Sequence, residues 1–79
     1  MLVTVKLFAT LARFKSDAKA GKAFEVDLPE DAAVQDLIDN LKIPHEETHI
    51  VFINSIIQEP GKKLKEGDVV GMFPPVGGG

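Results

Sequence analysis

Two stretches of this sequence hold residue types whose spacing could do chemistry. They are the terminal run Phe73-Pro74-Pro75-Val76-Gly77-Gly78-Gly79 and the internal run His45-Glu46-Glu47-Thr48-His49. The first ends in the α-carboxylate of Gly79, ionised at neutral pH given an ordinary pKa of about 3.3 to 3.7. A carboxylate is a poor acyl donor until it is activated, and an enzyme that activates one must close around it. Glycine has no side chain to obstruct that approach. Pro74 and Pro75 lack backbone donors and hold φ near one value, which ends the preceding strand and stiffens the point where the tail leaves. Beyond them, Val76 to Gly79 can extend by roughly 13 Å at about 3.3 Å per residue, enough to enter a partner's narrow channel. The tail's composition alone leaves a frayed terminus equally open.

The second run matches H-E-x-x-H, in which two histidines one helical turn apart bind zinc and the glutamate acts as general base. That geometry requires a helix through the whole motif. Pro44 stands directly before it and a β-branched run directly after it, so the spacing favours a solvated acidic loop joining helix to strand. No third ligand is evident, and no metal site is expected.

The rest of the chain must position the tail. Seventy-nine residues with 44% apolar content suit one small domain, with little room for a deep enzyme cleft. The absence of Cys removes disulfides, thiolate metal sites and thiol nucleophiles together, and a cytoplasmic protein is the simpler reading. A net charge of −3 and no basic cluster flanked by aromatic residues argue against nucleic acid as a partner. The longest apolar run is far below a membrane span, and no signal-peptide pattern opens the chain.

Leu2 to Phe8 alternates as a half-buried strand does, with Val3, Val5 and Leu7 on one parity and Phe8 on the other, beside Thr4 and Lys6. Ala9 to Ser16 suits a short helix presenting Leu11 and Phe14. Phe24, Val26 and Leu28 mark a second strand that Pro29 ends. From Asp31 the period changes: Val34, Leu37, Ile38 and Leu41 follow the spacing of an amphipathic helix, with Asp31 the expected N-cap and Pro44 the stop. His49 to Ile53 reads as a third strand. Asn54-Ser55 turns into a short segment around Ile56 and Ile57, Pro60-Gly61 turns again, and Gly67-Asp68 precedes a last strand, Val69 to Phe73. The result is α+β: one main helix packed on one face of a mixed sheet, with a short second helix, over residues 1–73, followed by a tail at 74–79. If Val70 and Met72 face the core, Phe73 faces out beside the tail.

This order of elements, together with Leu7-Phe8-Ala9, Val34-Gln35-Asp36-Leu37-Ile38, Val51 to Asn54, Gly67-Asp68-Val69-Val70 and above all Phe73-Pro74-Pro75-Val76 with terminal Gly78-Gly79, resembles the MoaD/ThiS family of sulfur carriers. The resemblance covers the whole chain and lies nearest the small subunit of molybdopterin synthase. It implies a ubiquitin-like β-grasp fold. It also implies that an adenylyltransferase of the MoeB/ThiF type, related to ubiquitin E1 proteins, adenylates Gly79 with ATP, and that a sulfur donor converts the adenylate to a thiocarboxylate. The tail from Pro74 through Pro75, Val76, Gly77 and Gly78 would then thread into a larger catalytic subunit of the MoaE type, delivering sulfur to molybdopterin. Phe8, Ile57 and Phe73 match the family's partner-binding apolar patch. The chain would bind no cofactor and have no active site of its own.

Three positions depart from the family pattern. Ser55 replaces a common Gly, which predicts a looser hairpin or one of another type. Ala33 replaces a capping Thr, which moves the cap to Asp31 and adds a turn to the helix. Arg13 stands slightly displaced from the usual basic residue after the first strand. The same tail would serve a carrier for thiamine, a tungsten cofactor or amino-acid sulfur transfer, or a ubiquitin-like protein modifier.

Overall fold

The computed structural model describes residues 1–15, 19–48 and 50–74. The alternation in the first stretch produces β1 (Leu2–Leu7), whose Val3, Val5 and Leu7 are fully buried. The chain continues through β2 (Ala23–Asp27), α1 (Val34–Asn40), β3 (Ile50–Ile53), β4 (Ile56–Gln58) and β5 (Val69–Phe73). The five strands form one sheet in the order β2-β1-β5-β3-β4. β1 and β5 run parallel at its centre, and every other neighbouring pair is antiparallel. This is the mixed sheet expected of a β-grasp protein.

The core forms on one face. Val34, Leu37 and Ile38 from α1 join Val3, Val5 and Leu7 of β1, Val51 and Ile53 of β3, and Val70 and Met72 of β5 in a single cluster. Each strand contributes alternate residues, because a pleated strand points successive side chains to opposite faces. Leu11 seals the cluster from a 3-10 helix at Ala9–Phe14, against which Phe14 packs half-buried.

The helix start differs from expectation. Asp31 is not the N-cap. It lies in a turn at φ 68°, and the cap is Ala33, so α1 begins at Val34 without an added turn. Alanine has no oxygen to offer, so only half a capping box exists: the Ala33 amide donates to Asp36 Oδ2 over 2.7 Å. The next two amides find acceptors in the loop after β4 instead, Val34 N on Lys62 O and Gln35 N on Pro60 O, each at 2.9 Å. Tertiary carbonyls replace the side-chain cap.

At the other end the helix stops before Pro44 is reached. Lys42 takes a left-handed conformation at φ 59°; its amide bonds Asp39 O at 3.0 Å, and the Ile43 amide bonds Ile38 O at 3.1 Å. That pair is a Schellman motif, here built on Lys where Gly is usual, with Ile43 buried behind it.

The β3–β4 hairpin is also tighter than expected. Ile53 pairs with Ile56 across a two-residue loop in which Asn54 and Ser55 both have positive φ, 51° and 73°. That is the signature of a type I′ turn, the connection that matches strand twist. The acidic stretch after Pro44 is a single 3-10 turn at His45–Glu47, and the third strand is described from Ile50, His49 lying outside the described residues.

Candidate functional site

The helix covers one face of the sheet and leaves the other open. On that open face the strand register sets one row across all five strands: Ala23, Lys6, Gly71, Phe52 and Ile57. Phe8 follows β1 on the open side, anchored where its amide donates to Met72 O over 3.0 Å. Its ring stacks on Phe73 with centroids 4.3 Å apart and planes within 1°, and Phe52 meets Phe73 edge-on at 5.5 Å and 77°. Both are favoured aromatic geometries.

Two glycines make room for Phe8. A Cβ on Gly71 would lie 3.3 Å from Phe8 Cε2, and one on Gly21 would lie 3.4 Å from Phe8 Cε1. Gly21 sits at φ 76°, where its amide reaches Leu7 O at 2.8 Å, so its conformation asks for glycine there. The rings and strands enclose a shallow hollow of about 300 Å³ over Gly71, with Lys6 at its border.

The structure therefore brings Phe8 and Phe73 together, and it places Phe73 facing out beside the half-buried Pro74, as parity predicts. Ile57 lies one strand farther, 63% exposed and directly opposite Phe52. Sequence reasoning missed Phe52, which joins these into one surface. The signal was present: with Val51 and Ile53 in the core, the same parity argument applied to β3 puts Phe52 on the open side. Pro75, Val76, Gly77, Gly78 and Gly79 lie outside the described residues.

The end of the sheet at Phe73 is built by two 3-10 turns. Because β1 is parallel to β5, the turn at Ala9–Phe14 follows β1 at the same end as Phe73; because β3 is antiparallel and pairs Ile50 with Phe73, His45–Glu47 enters there too. Arg13 links them. Its guanidinium pairs with Glu47 Oε1 at 3.0 Å, donates to Thr10 O at 2.9 Å and lies over the Phe14 ring at 4.5 Å.

At the opposite end the Met1 ammonium donates to Leu28 O at 2.6 Å and lies 3.4 Å from Asp27 and 3.5 Å from Glu30. Desolvation lowers its pKa, but the hydrogen bond and charge of Asp27, then Glu30, outweigh it, and the net shift is upward. Among the described residues no group of three His, Cys, Asp or Glu could hold a metal ion, and no helix is long and apolar enough to cross a membrane. What the described surface offers is an aromatic face on the open side of the sheet beside Pro74, and apolar faces of that kind mark association surfaces.

The sequence profile of the ThiS family matches residues 5–79. Among solved structures, a Pyrococcus furiosus protein assigned as molybdopterin converting factor subunit 1 is 33% identical, with a TM-score of 0.72 and coverage of 96% of this chain and 99% of that one. The small archaeal modifier protein 1 of Haloferax volcanii is 26% identical, with a TM-score of 0.73 and coverage of 95% and 98%. The thiamine biosynthesis protein ThiS of Geobacter metallireducens is 27% identical, with a TM-score of 0.63 and full coverage of both chains, 100% and 100%. No curated protein sequence matches the chain.

Proposed function

Because this chain belongs to the ThiS family of ubiquitin-like β-grasp sulfur carriers, we propose that it carries sulfur as a thiocarboxylate on Gly79 and donates it to molybdopterin. In this reading an E1-like adenylyltransferase of the MoeB/ThiF type binds ATP, and the Gly79 carboxylate attacks its α-phosphorus, releasing pyrophosphate. A sulfide-equivalent donor then adds to the acyl carbon and AMP leaves, taking the carbon–oxygen bond electrons with it. The product retains a nucleophilic sulfur at the chain's tip. This domain supplies the reacting group and the docking face, while its partners supply ATP, acid and base groups. It works in the cytoplasm, and it binds no cofactor of its own.

The observation that supports this most is the Phe8–Phe73 stack, an apolar aromatic face within a residue of Pro74. The choice of molybdopterin as acceptor rests on the likeness to a molybdopterin converting factor subunit 1, whose designation also implies a second subunit as partner. The test is mass spectrometry of the full chain incubated with a cognate adenylyltransferase, ATP and a sulfur donor. A gain equal to sulfur minus oxygen supports carrier chemistry; no gain, where a control carrier gains it, sinks the proposal.

The likeness to a small archaeal modifier protein favours a second reading, in which the activated Gly79 ends on a lysine amine of another protein. Conjugates of higher mass in cell extract, lost on deletion of Gly79, would identify that route.

A further inference from the structure

We infer that the hollow over Gly71 receives one apolar side chain of a partner segment that carries a carboxylate beside it, with Lys6 pairing that carboxylate and Phe52 setting the apolar preference. This rests on the docking half of the reading above and adds the chemistry of what docks. Gly71 stands in the middle strand of the sheet, between Lys6 and Phe52. Its φ lies outside the left-handed range, so its conformation does not demand glycine. A glycine within a strand marks a place where another group approaches the backbone closely; at Gly71 that group is Phe8, whose Cε2 lies 3.3 Å from where a Cβ would stand, and the ring thereby forms one side of the hollow. Here the missing Cβ leaves a floor, and the rings of Phe8, Phe73 and Phe52 are the walls.

The walls are apolar and one border is charged. Lys6 is half-buried, lines the hollow, and its ammonium makes no hydrogen bond or ion pair among the described residues. The remaining lining residues are uncharged. Glu25, diagonal to Lys6 on β2, is exposed and does not come within ion-pair distance. A cation held at the edge of an apolar surface without a counter-ion is complemented by an anion, and such complementarity sets partner choice more than raw affinity. At about 300 Å³ the hollow stands at the lower limit of ligand cavities, sized for a side chain and not for a cofactor.

The test is selection of random heptapeptides displayed on phage against the full chain, its Lys6→Glu variant and its Phe52→Ala variant, each first shown to keep the wild-type dispersion of backbone amide signals. The wild type should enrich an aliphatic or aromatic residue within two positions of Asp or Glu. Lys6→Glu should exchange that acid for Lys or Arg and weaken the original peptides about tenfold or more, and Phe52→Ala should lose the apolar preference. Adding a selected peptide should shift the amides of Lys6, Phe52 and Gly71. If Lys6→Glu fails to fold, Lys6→Met takes its place and should lose the acidic preference without gaining a basic one. A wild-type selection without the apolar-acidic pair, or one that the Lys6 variant leaves unchanged, overturns the inference. Neither result touches thiocarboxylate formation, so it fails separately from the carrier reading.

Discussion

Asn54 and Asp68 lock the β3–β4 hairpin onto the start of β5 through their side chains. Asn54 Nδ2 donates to Asp68 Oδ1 over 3.0 Å, while Asn54 Oδ1 accepts from the Val69 amide over 2.9 Å. The other Asp68 oxygen accepts from the Lys65 amide at 2.8 Å, so two loops and a strand share one hydrogen-bonded joint. Replacing Asn54 by Ala removes both bonds and puts a residue ill-suited to positive φ at 51°. It should lower unfolding free energy by about 1–3 kcal/mol, read as a lower denaturation midpoint with an unchanged slope.

Two other left-handed positions are held by residues that gain nothing visible from being there, Lys42 in the Schellman motif and Ser55 in the hairpin. Lys42→Gly and Ser55→Gly should each stabilise the fold by about 1 kcal/mol, since glycine adopts positive φ without the Cβ penalty. The two sites share no partner, so the double variant should show the sum in a thermal melt.

Phe73 has its ring on the open face and contributes little to the core, so its loss should act on association more than on folding. Phe73→Ala should weaken binding to the proposed adenylyltransferase at least about 30-fold, as a truncated aromatic hot spot does, with a smaller effect on unfolding. Equal affinity measured by calorimetry would count against the docking face.

The Met1 ammonium provides the pH dependence. Its pKa is raised in the folded chain, so the stability it contributes is fully present below the unfolded value, about 7.7–8.0, and is lost as pH rises through the higher folded value. The gap in melting temperature between the free and the N-acetylated chain should therefore be largest near neutrality and close under alkaline conditions.

The proposed chemistry needs the carboxyl group of Gly79 at the tip. Deleting Gly79, or extending the chain beyond it by a few residues, should abolish sulfur transfer while leaving the melting temperature unchanged, measured by product formation and by calorimetry on the same sample.

Much of this was legible from residue order. Alternation in Leu2 to Leu7 and Val69 to Phe73 gave both central strands and the outward side of Phe73, because a period of two leaves no choice once one face is buried. The helix face was equally plain. What escaped was set by distant chain. Asp31 looked like a cap because the carbonyls of Pro60 and Lys62, which serve the helix start, lie far along the sequence. Ser55 looked unsuited to a tight hairpin because the side-chain bonds of its neighbour Asn54 reach to Asp68 and Val69. Phe52 was overlooked because Ile50 to Ile53 is apolar throughout, with no polar residue to mark the open parity.

The position of β5 has a consequence for synthesis. It fills the gap between β1 and β3, so the β1–β2 and β3–β4 pairs cannot join into one sheet until the ribosome has released the residues up to Phe73. Every earlier nascent fragment lacks its middle strand and must pair distant segments late, a topology that folds slowly. The strand that joins the two halves also carries Phe73, so a product that stops short of it would lack the Phe8–Phe73 face together with the closed sheet.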